Sequence, residues 1–191
     1  MTAGIRITGG AYKGRRISVG RGGTTRYTSS KVRQAVFDLV GDIAGMAVLD
    51  LFAGAGSFAV EALSRGAASL VAVEKDRKTA SLLAANLKDL APDKDCLVVN
   101  MDVRYAVPML GRQRRRFDLI FADPPYEMGY IALLPGLVRT GGLCRDNAVL
   151  VLEHSKREAA ETPSGYAVRT KKYGDTLISV LACAYKQEPA R

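Results

Sequence analysis

Residues 48–67 read VLDLFAGAGSFAVEALSRGA, and this stretch decides the fold. The apolar run closing on Asp50 has the length and composition of a buried strand, and the residues from Ser57 onward fit a helix that Gly66 ends. Between them, Gly54 and Gly56 permit a sharp bend that a ligand can approach with no side chain in the way. Asp50, at the strand end, can orient that bend or accept a hydrogen bond from a ligand amine. After the next apolar strand, residues 70–73, comes Glu74, 18 residues beyond Gly56. A dinucleotide or adenosyl ligand finds a carboxylate for its ribose hydroxyls at such a position. Taken alone the bend is a weak signal, because Gly54, Gly56 and Ala59 also satisfy the looser nicotinamide fingerprint.

Working outward, apolar strands and amphipathic helices alternate. Strand patterns at 47–51, 70–73, 97–100, 117–122 and 149–153 are separated by helical patterns at 57–65, 78–90, from Val103, and at 130–138. Such alternation predicts an α/β fold with a doubly wound, mostly parallel sheet wrapped by helices. The end of the chain differs: residues 166–173 and 176–185, joined through Gly174-Asp175, read as two antiparallel strands. Before the first parallel strand, Val32, Ala35, Val36, Leu39 and Val40 mark one face of a helix that Thr28 or Ser29 can cap. Ile5, Ile7, Tyr12 and Ile17 punctuate the first residues like a short hairpin, with Gly9 and Gly10 near its bend. The expected organisation is one domain over 1–191, with a basic extension at 1–45 and an α/β core at 46–191.

A second site stands after the fourth strand of the core. Asp123-Pro124-Pro125-Tyr126 directly follow the run ending at Ala122. A rigid turn is one reading, since Asp-Pro sequences often make one. The chemical reading concerns an exocyclic amine on a nucleobase, a poor nucleophile because its lone pair is delocalised into the ring. Acceptors for its N–H groups make it more amine-like, and the Asp123 carboxylate and the Pro124 carbonyl can each accept one. Each proline fixes its own φ, presses its predecessor toward extended geometry, and brings no competing N–H. Tyr126 offers a flat face on which a splayed-out base can stack. In an open doubly wound sheet, ligands bind beyond the carboxyl ends of the strands where strand order reverses. If 48–51 and 117–122 are neighbours across that reversal, the glycine bend and Asp123 share one crevice, a methyl donor facing its acceptor.

Five pieces together resemble the RsmD family of S-adenosylmethionine-dependent methyltransferases: IRITGGAYKG at 5–14, RYTSSKVRQAVF at 26–37, the stretch 50–67, Asp123 to Tyr126, and Tyr173-Gly174-Asp175-Thr176. The resemblance implies a Rossmann-like class I methyltransferase with a seven-stranded sheet, acting on the N2 amine of a guanosine in small-subunit (16S) ribosomal RNA, free or in an assembling 30S particle. It implies S-adenosyl-L-methionine as cofactor, with Thr28 near its carboxylate and Arg26 near cofactor or RNA phosphate. Phe52, Asp50, Gly54, Gly56, Glu74 and Asp102 complete the candidate cofactor set. Asp102 follows the third strand of the core, where such enzymes often accept from the adenine amine, and it also fits a helix N-cap. The chain departs from the family at Tyr27 and at Ser29-Ser30-Lys31, where the usual pattern is Arg-Pro-Thr followed by Thr-Asp-Arg, and at Ala59, usually glycine. The changes at Tyr27 and Ser30 bear on the substrate more than on methyl transfer.

Charge points the same way. Of 28 basic residues, Arg6, Lys13, Arg15, Arg16, Arg21, Arg26, Lys31 and Arg33 precede the first acidic residue, Asp38, so nearly all of the +9 net charge lies in the first fifth of the chain. Arg6, Lys13, Arg15, Arg16, Arg26 and Arg33 are therefore the candidate RNA-phosphate contacts. A second cluster, Arg112, Arg114, Arg115 and Arg116, precedes the strand 117–122 and so belongs to the opposite end of the sheet, as a solvated loop or a distant contact with a large ribonucleoprotein. A single histidine, His154, argues against zinc and against a Ser-His-Asp relay, and Cys96, Cys144 and Cys183 lack metal or disulfide spacing. No apolar run approaches the ~20 residues of a membrane helix, and the N-terminus lacks a secretion signal. A cytoplasmic, metal-free monomer is expected. Rival readings are an adenine-N6 or cytosine-N4 methyltransferase, a nicotinamide oxidoreductase lacking an evident proton donor, and a non-catalytic RNA-binding module.

Overall fold

The computed structural model describes residues 4–20, 29–158 and 166–183. Its elements in chain order begin with β1 (Gly4–Arg6), β2 (Arg16–Ser18), α1 (Ser30–Val40), β3 (Ala47–Asp50) and α2 (Ser57–Ser64). Then follow β4 (Ser69–Val73), α3 (Arg77–Leu90), β5 (Asp95–Val99), α4 (Val103–Arg112) and β6 (Phe117–Ala122). The chain closes with α5 (Tyr130–Thr140), β7 (Cys144–Ser155), β8 (Ala167–Tyr173) and β9 (Thr176–Ala182).

Seven strands form one sheet in the order β5-β4-β3-β6-β7-β9-β8. The pairs β3–β4, β4–β5, β3–β6 and β6–β7 are parallel, and β9 runs antiparallel to both β7 and β8. The strand after β3 goes to one side and β6 to the other, so the reversal of strand order falls between β3 and β6. This is the α/β, mostly parallel arrangement expected from the alternation, with the seven strands that the resemblance implies. The central strands are buried on both faces and hence nearly continuous in apolar residues. One apolar layer packs α1, α2 and α3 on the sheet, and the other packs α4 and α5. In the first, Phe58 lies between Phe37 of α1 and Phe121 of β6, with ring centroids 5.0 and 3.9 Å away.

β7 begins five residues earlier than the expected strand, its start and the bulk of it paired with β6 on either side of a register shift and its end with β9. Cys144 and Cys183, remote in sequence, meet thiol to thiol. That hydrogen bond, with burial, pushes the Cys183 thiol up.

The extension is welded to α2 by polar groups. Ser29 caps α1, its hydroxyl accepting from the Val32 N–H. Glu61 of α2 is fully buried and accepts from the Thr8 N–H and hydroxyl, from Arg33 Nε at 3.1 Å, and from Arg65. Burial would raise its carboxyl, but the Thr8 hydrogen bonds and the Arg33 charge outweigh it and hold it below the usual range. Arg33 is completely buried and also donates to the Arg6 carbonyl. Arg33 therefore cannot be an RNA contact: its guanidinium is spent inside the protein, fastening β1 to α1 and α2. Gly10 adopts φ +74°, and a Cβ there would lie 1.8 Å from the Ser64 carbonyl oxygen, so only glycine lets this turn lie flat on α2. Asn86 of α3 makes a second fastening: it is buried, exchanging hydrogen bonds with the Ser18 N–H and carbonyl and donating to the Ala55 carbonyl at 2.8 Å.

Candidate active site

Four neighbouring parallel strands each deliver a carboxylate at or just beyond the carboxyl end: Asp50 from β3, Glu74 from β4, Asp102 from β5 and Asp123 from β6. A cavity of about 400 Å³ opens there, lined among others by Phe52, Gly54, Glu74, Asp102, Asp123 and Pro124. Pro125, Tyr126 and Tyr130 complete the wall. The two sites read separately in the sequence thus face a single space.

The bend after β3 is held from below and behind. Glu74 accepts from the Gly54 N–H at 3.0 Å with one oxygen and from the Asp76 N–H at 2.8 Å with the other. Each oxygen keeps a lone pair for a ligand hydroxyl. Gly54 has φ +54° and a Cβ there would meet no protein atom within 4 Å, so a side chain would stand in the cavity itself. Gly56, at φ +95°, is packed against Leu83, where a Cβ would come within 2.6 Å. Gly56 therefore shapes the bend from inside and is not among the lining residues.

Asp50 is likewise placed beneath the cavity rather than on its wall. It is 1% exposed, its Oδ1 accepts weakly from the Phe52 N–H at 3.4 Å, and its Oδ2 is buried with no hydrogen-bond partner among the described residues. Burial pushes its carboxyl up to about 8; the Phe52 N–H opposes this, and the nearby Asp123 and Glu74 charges add to it. A protonated or cation-paired Asp50 is what this surrounding favours.

Asp102 caps α4, accepting from the Arg104 N–H at 3.0 Å, and its two oxygens also accept from Arg104 Nε and Nη2, both at 2.9 Å. Those Arg104 hydrogen bonds hold its carboxyl down at about 2. The capping and ligand-binding readings coexist, because Asp102 also lines the cavity. Sequence reasoning passed over Tyr130 as a helix start. Its ring packs edge-on against Phe52 at 5.0 Å and closes the wall beside Tyr126. An aromatic residue four positions after Tyr126 was the available signal.

The candidate RNA contacts divide. Arg6, Lys13, Arg15 and Arg16 are exposed. The turn carrying Lys13 and Arg15 rests on Ser64 at the end of α2 and on Asp89 near the end of α3, with Arg15 Nη2 3.8 Å from the Asp89 carboxylate. Both helix ends lie toward the amino ends of the strands, away from the cavity. Arg26 and Thr28 lie outside the described residues. His154 is buried, its ring nitrogens against Ser179 Oγ and the Ser155 and Glu158 carbonyls, a structural set. Among the described residues no group of three or more His, Cys, Asp or Glu could hold a metal ion, and no helix is long and apolar enough to cross a membrane.

A reversal of strand order crowned by a glycine bend, with Glu74 and Asp123 facing the one cavity there, fits a class: the Rossmann-like, S-adenosylmethionine-dependent methyltransferases. Comparison with known proteins agrees. The family described as "Conserved hypothetical protein 95" matches residues 5–182, and the chain belongs to it, the RsmD family of the sequence resemblance. A Bacillus subtilis (strain 168) protein named "Putative rRNA methyltransferase YlbH" is 32% identical over 179 residues, covering 92% of this chain and 97% of that one. A solved structure, "Putative methyltransferase yhhF from Escherichia coli", superposes with a TM-score of 0.83 at 30% identity, covering 94% of this chain and 98% of the other. The Thermus thermophilus 16S rRNA N2 G1207 methyltransferase (RsmC), solved with AdoMet and guanosine, shares the fold at a TM-score of 0.71 and 22% identity, over 95% of this chain and 50% of its own.

Proposed function

We propose that this methyltransferase acts on the exocyclic N2 amine of a guanosine in small-subunit ribosomal RNA. The observation that carries the reading is that Asp123, Pro124 and Tyr126 line the same cavity as Gly54 and Glu74. The relative named as an rRNA methyltransferase, and the fold shared with a protein named for guanosine N2 methylation, support the choice of acceptor.

The cavity's donor set suits the cofactor. Glu74 would take the ribose hydroxyls, Asp102 the adenine amine, and the open face of Gly54 would let the ligand approach the backbone. The chemistry a bound S-adenosylmethionine supplies is an electrophilic methyl on a sulfonium, whose thioether leaves readily. The chain's own residues do the rest. Asp123 and the Pro124 carbonyl accept from the guanine amine and turn its lone pair toward the methyl, at a productive separation of roughly 3 to 3.5 Å. Asp123 also stabilises the positive charge that grows on nitrogen. Tyr126 stacks on the base and holds it out of the RNA. Phe52 and Tyr130 pack together and exclude water from one wall.

Transfer of labelled methyl to undermethylated small-subunit RNA and particles, followed by nucleoside digestion, tests this. N2-methylguanosine is the expected product. Methylated adenine or cytosine would keep the enzyme class and overturn the acceptor.

A further inference from the structure

The opposite end of the sheet holds a second cavity, of about 330 Å³, under the amino ends of β3, β4, β5 and β6. Its wall includes Arg114, Arg115, Arg116, Arg145 and Asp95. Arg145 is spent on Asp118, Nη1 to Oδ2 at 2.8 Å. The other three are exposed, and none has an acidic partner within salt-bridge distance among the described residues; Arg116 Nη1 reaches only the Arg115 carbonyl. Arg114, at φ +56°, forms the left-handed turn that ends α4, with the Arg114 and Arg115 N–H groups donating to the Gly111 and Leu110 carbonyls, and this turn sets three consecutive guanidiniums side by side. Consecutive guanidiniums repel one another. An anion in the cavity would offset that repulsion, with three arginines set against the single carboxylate of Asp95.

We propose that this cavity binds backbone phosphates of the same RNA whose base enters the active site, so that the substrate is a folded RNA spanning the sheet from end to end. The inference rests on the reading of the enzyme as an RNA methyltransferase. β6 joins the two sites, Phe117 lining one and Asp123 following its far end. Six strand residues place them ~20 Å apart. A nucleotide flipped into the catalytic cavity brings only its immediate neighbours with it, so phosphates this far away must come from a flanking helix or a tertiary neighbour. The turn bearing Lys13 and Arg15 lies toward the same end, giving the RNA a second basic foothold there. Guanidinium forks suit phosphate oxygens better than ammonium points do, and all three free side chains are arginine.

The test compares the wild type with an Arg114→Asn/Arg115→Gln/Arg116→Gln variant, asparagine being chosen because it tolerates positive φ. Affinity for small-subunit RNA is measured against salt, alongside methyl-transfer kinetics and thermal unfolding. Each lost phosphate contact lowers the salt slope by about 1, so the variant's slope should fall by about 2 to 3. KM for the RNA should rise several-fold, with kcat and Tm unchanged. Should the triple variant unfold early, Arg115→Gln alone should lower the slope by about 1. A slope and KM equal to wild type would overturn the proposal. So would an inorganic phosphate-induced rise in Tm that the variant loses while its RNA slope stays intact, which would assign a small-anion site. Binding is read without turnover, so a wild type that binds RNA but methylates no guanosine amine would refute the proposed acceptor and still leave this cavity judged by its slope.

Discussion

The two ends of the parallel sheet carry opposite charge. At the carboxyl ends Glu74, Asp102 and Asp123 line one cavity, whereas at the amino ends Arg114, Arg115 and Arg116 line another, with Lys13 and Arg15 toward that end. The difference teaches how one small protein can hold two unlike ligands. A sulfonium cofactor and an amine acceptor gain from carboxylates, and a polyanion is repelled by them. On the proposed reading, the RNA backbone is held at a distance from the site where its base reacts.

The contrast can be broken or sharpened by substitution. The largest effect is expected where the extension is fastened. Arg33→Ala removes one of the two guanidiniums paired with buried Glu61 and leaves only Arg65, at a cost near the lower end of about 3–5 kcal/mol. Thermal or denaturant unfolding reads this; a variant of normal stability with weakened RNA affinity would return Arg33 to the basic surface. At the acidic end, Asp123→Ala should lower kcat by about 10²–10³ while cofactor affinity, measured by calorimetry, stays close to wild type. Undiminished turnover would remove Asp123 from the chemistry. A smaller effect follows from Asp50. Its carboxyl is raised from 3.8 to about 8 on folding, so the folded chain retains a proton that the unfolded chain releases. Stability from this group is full below about pH 4 and is lost as pH rises toward 8. Asp50→Asn should flatten that dependence, and each kcal/mol recovered moves Tm by about 2–4 °C. A Tm that falls equally in both proteins between pH 5 and pH 8.5 would show that Asp50 is paired in solution.

Much of this was legible because it rests on local pattern. The alternation of apolar runs predicts the parallel core, and the position of Glu74 and of Asp123 immediately after β4 and β6 is enough to place both at the carboxyl ends. Contacts that depend on which surfaces meet were not legible. Arg33 reads as one more basic residue in a basic segment, and only the burial of Glu61 opposite it turns it inward. Asn86 reads as a polar helix residue, and only the docking of Ser18 makes its amide a bridge. Asp50 reads as able either to orient the bend or to accept from a ligand amine, and the structure has it beneath the bend, accepting from the Phe52 N–H, while Phe52 and Gly54 take the exposed position.

Asn86 gives the extension a particular status. Its amide ties Ser18 of the hairpin to Ala55 of the glycine bend, joining three segments distant along the chain. The extension is thus not a detachable module. Grafting residues 4–40 onto another sheet of this architecture would require the recipient to carry an asparagine at the position of Asn86 and a carboxylate at that of Glu61, and a chimera lacking either would inherit the hairpin's charge without its seat.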